Sequence, residues 1–266
     1  MENIQIVKSA MAETGGPATS ENYQHINTGR VLAGFLDNGW KISKQRETAT
    51  RDPNREGFQK HYIRLRRDTV NNVTVNDYLH EIEITASHDG SSAFKISHGI
   101  FRVVCSNGLT VSAETVSAMR IIHRGGAAVN YAAVLDKFNV DAMTVAGKIQ
   151  QFKSTPMAED ARLDFAQRAL DLRYSDDRAR RIHGSNMLRA RRSEDRAADL
   201  WTTLNVVQEK VIRGGGGYFQ ENPNRQHNGR FVEEFKNIRP LTSIDEIGRV
   251  NRGIWALGEE FAGRTN

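Results

Sequence analysis

The sequence predicts an α+β fold, with an antiparallel β-meander in the N-terminal half and a helical C-terminal half. Between residues 40 and 123, short segments alternate polar and apolar residues and are separated by close turns such as Asp89-Gly90. Such turns favour antiparallel pairing, because a parallel crossover needs roughly a dozen residues or more. Beyond Val129 the apolar residues recur with a spacing of about 3.6, which is the period of a helix. Strands followed by helices are typical of the α+β class.

The composition is that of an ordinary globular protein, since 38% of the 266 residues are hydrophobic and 26% are charged. No run approaches the roughly 18 consecutive apolar residues of a membrane span. The first residues lack the basic-then-apolar layout of a secretion signal. A single cysteine, Cys105, excludes an internal disulfide and fits a reducing compartment. These features predict a soluble, cytoplasmic protein with no membrane partner.

The N-terminal half is predicted to contain a flexible leader and a β-rich region with one helix. Residues 1–24 are rich in small polar residues and include a Gly-Gly-Pro sequence, which is typical of a flexible leader. The β-rich region covers residues 25–128, and its helix is predicted to begin with Thr28 as N-cap and to end before Asn38-Gly39. Alternation predicts strands at 40–43, 61–67, 80–84, 93–96, 100–105, 109–111 and 119–123.

The C-terminal region, residues 129–266, is predicted to be helical, with a break in its first helix near Asn139. The later helices are predicted to start at three capping positions, namely Thr155 followed by Pro156, Ser193, and Ser243. A run of four glycines from Gly214 ends the helix that follows Ser193 and begins a Gly-rich loop over residues 213–240. The sequence leaves open whether the two halves form one integrated domain.

The net charge of +5 indicates an anionic partner only where positive residues cluster. The first cluster consists of Arg51, Arg55, Lys60, Arg64, Arg66 and Arg67. Alternation along the strand places Tyr62 on the same face as Arg64 and Arg66. An aromatic ring beside guanidinium groups on a sheet suits single-stranded nucleic acid, because bases stack while phosphates are neutralised. A solvated charged face is the simpler alternative.

Two further clusters lie in the C-terminal half. The second contains Arg168, Arg173, Arg178, Arg180, Arg181, Arg189, Arg191 and Arg192. The third, in the Gly-rich loop, contains Arg225, His227, Arg230, Lys236 and Arg239. The planar fork of arginine binds phosphate bidentately, which favours a nucleic acid. Arginine clusters also bind acidic proteins, and ion pairs on helix surfaces would explain the same residues.

A metal site is considered at His88 and Asp89, with His98 and His123 as further ligands. The spacing of these residues matches no recognised metal-binding arrangement. A turn at Asp89-Gly90, stabilised by the two serines that follow, explains the same sequence more simply.

Three other features in the chain invite a functional interpretation. Arg102 interrupts an apolar strand, where a charge must reach the surface, a partner or a ligand, although alternation alone would turn it outward. Phe101 beside it is a candidate for base stacking. Cys105 would be a nucleophile only with a lowered pKa, and a small buried thiol at a strand end is the commoner case. The glycine run after residue 213 lacks the Lys-Ser/Thr of a P-loop, so it predicts a helix stop.

Blocks of sequence from about residue 23 to 260 resemble a known family. In the N-terminal half they are Asp52-Pro53, Lys60-His61, Arg64-Leu65-Arg66-Arg67, His88-Asp89-Gly90-Ser91-Ser92 and residues 99–109. In the C-terminal half they are Arg191-Arg192-Ser193-Glu194-Asp195, Asp199-Leu200-Trp201, Gln208-Glu209, Gly214-Gly215, Asn251-Arg252 and Trp255. The chain resembles the phage- and plasmid-borne family of unknown function typified by the prophage proteins YafZ and YfjQ. The resemblance implies a mobile-element protein that works in the cytoplasm of a bacterial host cell, but it supplies no reaction and no catalytic residues.

We therefore predict a nucleic-acid-binding protein that acts in single-strand binding or annealing during phage or plasmid recombination. Phosphates would be contacted by Arg51, Arg55, Lys60, Arg64, Arg66, Arg102, Arg180, Arg181, Arg189, Arg191 and Arg192. Bases would stack on Tyr62 and Phe101. Such a protein is commonly a homo-oligomer and needs neither a cofactor nor a catalytic residue, but its arginines must converge once folded. Two alternatives stay open, an anti-defence or regulatory protein that binds a host protein and a metal-dependent nuclease built on His88 and Asp89.

Overall fold

The computed structural model describes residues 5–67, 78–102, 119–124, 129–174 and 178–264. The chain forms two compact units, and the described residues up to Val145 belong to the first unit, whereas those from Ala146 onward belong to the second. This division falls later than the one predicted after residue 128. No helix in these described ranges is both long and apolar enough to cross a membrane.

The first unit is built on a five-stranded antiparallel sheet. Its elements, in chain order, are α1 (Thr28–Asp37), β1 (Trp40–Glu47), β2 (His61–Arg67), β3 (Tyr78–Ala86), β4 (Phe94–Arg102), β5 (Met119–Ile121) and the first part of α2 (Tyr131–Ser154). The strands lie in the order β1-β2-β3-β4-β5, and every neighbouring pair is antiparallel. The predicted meander is therefore confirmed. The separate strands expected at 93–96 and 100–105 form one strand up to Arg102, and Cys105 and the strand at 109–111 lie outside the described residues.

One face of the sheet forms the hydrophobic core of the first unit. The side chains that alternate inward from β2, β3 and β4 are Ile63, Leu65, Ile82, Ile84, Phe94 and Ile96. They pack against Val31, Leu32 and Phe35 of α1, and Val134 of α2 joins the same cluster. Each fully buried side chain of this size contributes about 1.5–3 kcal/mol of hydrophobic stabilisation. Because the inward residues alternate, the residues between them face the opposite side of the sheet.

The N-cap of α1 is Asn27 rather than the predicted Thr28. The Asn27 side chain accepts a hydrogen bond from the Arg30 backbone N–H at 2.9 Å, which is the usual N-cap geometry. Thr28 is the first helical residue and is fully buried. The sequence could not separate the two, because both residue types cap helices.

The described part of the predicted flexible leader is bound to the first unit. The Val7 backbone N–H donates to the Gln45 side chain at 3.0 Å, and the Ser9 N–H donates to the Glu47 carboxylate at 2.9 Å. Further on, the Gly16 N–H donates to the carbonyl of His88 at 2.7 Å. These bonds hold residues 5–16 against β1 and the loop after β3, so the expectation of a free leader was wrong for this segment.

The second unit is mainly helical. It contains the rest of α2, followed by α3 (Glu159–Arg173), α4 (Arg178–Arg181), α5 (Leu200–Arg213), β6 (Gly217–His227), β7 (Arg230–Asn237) and α6 (Ile244–Gly263). Helices α3, α5 and α6 pack against one another. Helix α5 is buried from Leu200 to Ile212, so it forms the centre of this unit.

Three predicted helix features in the C-terminal half were wrong. Helix α2 runs through Asn139 without a break. Pro156 does not open α3, because it forms an isolated antiparallel bridge with Asp199 and the helix begins only at Glu159. Helix α5 is capped by Asp199, whose side chain accepts from the Thr202 N–H at 2.8 Å, and not by Ser193. The Ser243 cap of α6 is confirmed.

The region predicted as a Gly-rich loop is largely a β-hairpin. Helix α5 ends at Arg213, and Gly214 with a φ of +74° stops it as predicted. Strands β6 and β7 then pair across Asn228 and Gly229, which have φ angles of +49° and +74°. Two successive residues with positive φ make the turn that suits a two-residue hairpin connection.

Candidate nucleic-acid interface

The sheet face that points away from the core carries seven basic residues and two carboxylates, and we call it the basic face. Cross-strand pairing arranges it in three rows, each crossing several strands. The first row is Arg46, Tyr62, Thr85, Lys95 and Arg120; the second is Lys44, Arg64, Glu83 and Ser97; the third is Lys41, Arg66, Glu81 and Gly99. Tyr62, Arg64 and Arg66 therefore share a face, as predicted from alternation.

The second and third rows hold their own counter-charges. Glu81 is fully buried, and its carboxylate forms ion pairs with the guanidinium groups of both Arg64 and Arg66. The Tyr62 hydroxyl donates a hydrogen bond to Glu83, which is also buried. Arg64 is only 8% exposed, so it stabilises Glu81 and presents little surface to a ligand. Arg66 keeps 38% of its side chain exposed and can still reach one.

Tyr62 is partly covered by another residue of the first row. The Arg46 guanidinium lies over its ring, 5.7 Å from the ring centre. A base that stacks on Tyr62 would therefore have to share the ring with Arg46 or displace it. Arginine planes also stack on bases, so the pair offers two flat surfaces beside each other.

Lys95 and Arg120, at the other end of the first row, differ from the arginines of β2. They are directly opposite each other on β4 and β5, and both are exposed. In the described ranges, no carboxylate lies within ion-pair distance of either residue. Like charges directly opposite on neighbouring strands are destabilising. An anion at this position would remove the repulsion.

The turn predicted at Asp89 is confirmed. The Asp89 carboxylate accepts from the Ser91 N–H at 2.9 Å and from Arg55, whose Nε and Nη2 lie 2.8 and 2.6 Å away. Burial by itself would raise the pKa of Asp89, but hydrogen bonds from Ser91 and Arg55 outweigh it and lower the pKa to about 2. Arg55 is thus largely engaged in fixing the turn.

His88 lies in a different environment from Asp89. Its Nε2 is 3.1 Å from the Thr28 hydroxyl, which also lies 3.0 Å from Nε2 of His61. Burial, followed by the effect of His61, lowers the pKa of His88 to about 3. Of the other two proposed ligands, His98 contacts His80 at 2.7 Å, whereas His123 stacks on Tyr23 and is close enough to His88 to contribute to the lowering of its pKa. Among the residues that the structure describes, no three or more His, Cys, Asp or Glu side chains are arranged to hold a metal ion.

In the second unit, Arg191 and Arg192 surround buried carboxylates. Arg191 donates to Glu209 at 3.1 Å, and Arg192 donates to Glu209 at 3.0 Å and to Asp195 at 3.4 Å. Glu209 and Asp195 are each 3% exposed. These two predicted phosphate ligands therefore stabilise the second unit, although part of each side chain remains exposed.

The remaining predicted site residues are more dispersed. Arg51 is exposed in the loop before β2, and Lys60 immediately precedes that strand. Arg181 and Arg189 are exposed in the second unit. Arg180 lies in α4, and Phe101 and Arg102 lie in β4 opposite Leu79 and Tyr78; the side chains of these three fall outside the described part of the chain.

Arg46, Lys95 and Arg120 of the basic face are candidate site residues that the sequence analysis missed. Alternation with the inward residues Phe94 and Ile96 would have turned Lys95 outward. The sequence does not show, however, that Lys95 faces Arg120, because the register of two strands joined by a long connection depends on tertiary packing.

The fold and the basic face define an α+β protein with a cationic sheet surface. Residues 18–250 match the family described as "Domain of unknown function (DUF932)", and the chain belongs to this family. It is similar to two proteins of Escherichia coli K12, being 29% identical to UPF0380 protein YafZ and 30% identical to UPF0380 protein YfjQ. Each match covers 97% of this chain and 89% of the relative. The predicted resemblance is thereby confirmed. No solved structure matches the chain.

Proposed function

We propose that the protein binds single-stranded nucleic acid on the basic face and acts in strand binding or annealing for a mobile element in the bacterial cytoplasm. The observation that carries the proposal is the first row, where Lys95 and Arg120 stand opposite each other without a nearby carboxylate in the described chain. The same row ends in the stacked pair of Arg46 and Tyr62. The row thus combines phosphate-binding and base-stacking groups.

The size and charge of the face support the proposal. Its three rows hold seven basic residues against two carboxylates. The first row crosses five strands, which at a spacing of about 4.8 Å gives a track of roughly 19 Å. A sheet surface of this kind offers bases a platform, whereas reading a duplex requires a helix or ribbon in the groove.

The salt dependence of binding tests the proposal. We expect an oligodeoxythymidine to bind at low salt, with log affinity falling linearly as log salt rises, because phosphate neutralisation releases counterions. The charge reversals Lys95→Glu and Arg120→Glu together should reduce both the affinity and the slope. Fluorescence anisotropy measures both quantities.

Arg249→Glu is the matched charge control for each single reversal, Lys95→Glu or Arg120→Glu, because Arg249 lies on α6 in the second unit and pairs only with Glu246 at 2.9 Å in the described chain. It should leave the affinity and the slope close to those of the parent protein. Absence of binding at low salt, or a slope that the double variant leaves unchanged, would remove the basic face as the interface.

A second candidate function, binding to a host protein in regulation or anti-defence, is favoured by the β6–β7 hairpin. Phe219, Phe231 and Phe235 on this hairpin are 59%, 44% and 54% exposed. Exposed aromatic residues beside basic ones such as Arg225 are typical of protein interfaces. A pull-down from nuclease-treated host lysate, compared with a Phe219→Ser/Phe235→Ser variant, tests this role. A partner that survives nuclease and is lost with the variant would support it.

A further inference from the structure

The turn at residues 89–92 forms one wall of a pocket beside the end of the first row, and we call it the basic pocket. Its volume is about 600 Å³, which lies within the range of small-molecule sites. Four basic residues line it, namely Lys60, Lys95, Arg120 and Arg124. Two of them, Lys95 and Arg120, also belong to the basic face.

The basic pocket carries an unbalanced positive charge. Among the described residues that line it, Asp89 is the one carboxylate. The Asp89 side chain is only 3% exposed and forms an ion pair with Arg55 at 2.6 Å. In the part of the chain that the structure describes, no carboxylate reaches ion-pair distance of Arg124, just as none reaches Lys95 or Arg120. The pocket therefore suits an anion of more than one charge.

The wall of the basic pocket is held rigid by hydrogen bonds. Ser91 N–H donates to Asp89 at 2.9 Å, and Ser92 N–H donates to the Ser87 hydroxyl at 2.9 Å. Gly90, with a φ of +78°, lets the chain turn between them. The wall therefore places the hydroxyl-bearing residues Ser91 and Ser92 at the pocket without a change of backbone conformation.

His123, which also lines the basic pocket, supplies an independent observation. It is 6% exposed, and its Nδ1 lies 2.9 Å from the carbonyl oxygen of Gln24, to which it donates as the N–H tautomer. Its Nε2 has no hydrogen-bond partner among the described residues. The ring stacks on Tyr23 with centres 4.6 Å apart, and both rings line the pocket. In this tautomer Nε2 is an acceptor, so a hydrogen-bond donor of the nucleoside, and not the phosphate, would satisfy it.

We propose that the basic pocket binds the phosphate monoester of a nucleotide. Lys95, Arg120 and Arg124 would bind the dianionic phosphate, and the Tyr23–His123 pair would adjoin the nucleoside. A phosphate monoester carries up to two negative charges and a phosphodiester carries one, so the three clustered cations suit the monoester, whereas the phosphodiesters of a continuous strand suit the open basic face. A phosphate monoester occurs in two ligands, a free mononucleotide and the terminal phosphate of a bound strand. The second ligand rests on the proposed function.

Titration calorimetry with deoxyadenosine monophosphate and with deoxyadenosine tests the site itself. The monophosphate should bind at least about tenfold more tightly, because charge-assisted hydrogen bonds to phosphate contribute strongly. Arg120→Ala and Arg124→Ala should each abolish that preference. Arg249→Ala, which removes an exposed charge on α6 of the second unit, should retain it. Equal binding of nucleotide and nucleoside, or loss in the Arg249 variant as well, would overturn the proposal.

Oligonucleotides that differ only in a 5′ or 3′ terminal phosphate identify the source. A gain of about tenfold from one terminal phosphate, lost in Arg124→Ala, would assign the pocket to strand ends. If the mononucleotide binds but the terminal phosphate brings no gain, the ligand is a free nucleotide. If no oligonucleotide binds, the proposed function fails while the calorimetric result on the pocket stands. Thermal unfolding of each variant shows whether the fold is retained.

Discussion

The two arginine-rich regions of the molecule use their charge differently. On the sheet of the first unit, Arg64 and Arg66 pair with the buried Glu81, but Lys95 and Arg120 on the same face have no such partner in the described chain. In the second unit, Arg191 and Arg192 both pair with the buried Glu209. The density of arginine along a sequence is therefore a poor measure of the charge that a ligand can meet. The charge that a ligand can meet depends on which carboxylates folding brings close to the arginines.

The two units also differ in their histidines. In the first unit, His61, His88 and His98 are buried, and burial lowers their pKa values to about 4, 3 and 3. In the second unit, His183 and His227 are exposed. A buried neutral imidazole resists protonation in the folded state, whereas the unfolded chain takes up the proton near its ordinary pKa.

The largest expected effect is a loss of stability of the first unit in mild acid. The pKa values of these three histidines are lowered in the folded state, so their full contribution to the free energy of unfolding is present above about pH 6.5. This contribution falls as the pH drops towards the folded-state pKa values. The loss amounts to as much as about 1.4 kcal/mol per pH unit for each histidine. Amide hydrogen exchange, corrected for intrinsic rates, should be measured at pH 7 and at pH 5. The increase in opening on going to pH 5 should be larger in residues 28–102 than in residues 200–263. Equal acid sensitivity in both ranges would contradict this comparison.

The next largest effect concerns the arginines around Glu209. Burial raises the pKa of Glu209, but hydrogen bonds and charge from Arg192 and Arg191 outweigh it, so the carboxylate stays ionised. Glu209→Ala would leave these guanidinium groups without their shared partner. We expect the free energy of unfolding to fall by about 2–4 kcal/mol, less than for a fully buried pair because the arginines reach solvent.

Urea unfolding measures this loss. Glu246→Ala, which removes an exposed carboxylate paired with Arg249, is the matched control and should cost less than about 1 kcal/mol. If the two variants are equally stable, the ion pairs of Arg191 and Arg192 with Glu209 do not stabilise the second unit. The two arginines would then be candidate phosphate ligands, as the sequence predicted.

Much of the fold could be predicted from the sequence, because alternation and turns are local. The inward residues Ile63 and Leu65 followed from period two, and Ser243 was recognised as the cap of α6. The hairpin over residues 213–240 was missed although the sequence contained Asn228-Gly229, a strong turn pair, because the preceding glycines suggested a loop.

The site depended on contacts that the sequence does not show. Glu81 lies far along the chain from Arg64, and Glu209 lies far from Arg191, so neither neutralisation could be foreseen. Thr28 was taken for a cap, but its hydroxyl lies between His61 and His88, which are distant in sequence. The pairing of Lys95 with Arg120 likewise required the register of β4 and β5.

The most direct test of the account is the affinity for single-stranded DNA of two double variants at one fixed low salt concentration. Lys95→Ala/Arg120→Ala removes the charges of the first row, and Arg191→Ala/Arg192→Ala removes an equal charge around Glu209. We expect the first variant to lose about tenfold or more in affinity and the second, if it is folded, to lose less than about threefold. The opposite order, or equal losses in both, would contradict the claim that the basic face, rather than the pair of arginines around Glu209, presents its charge to the strand.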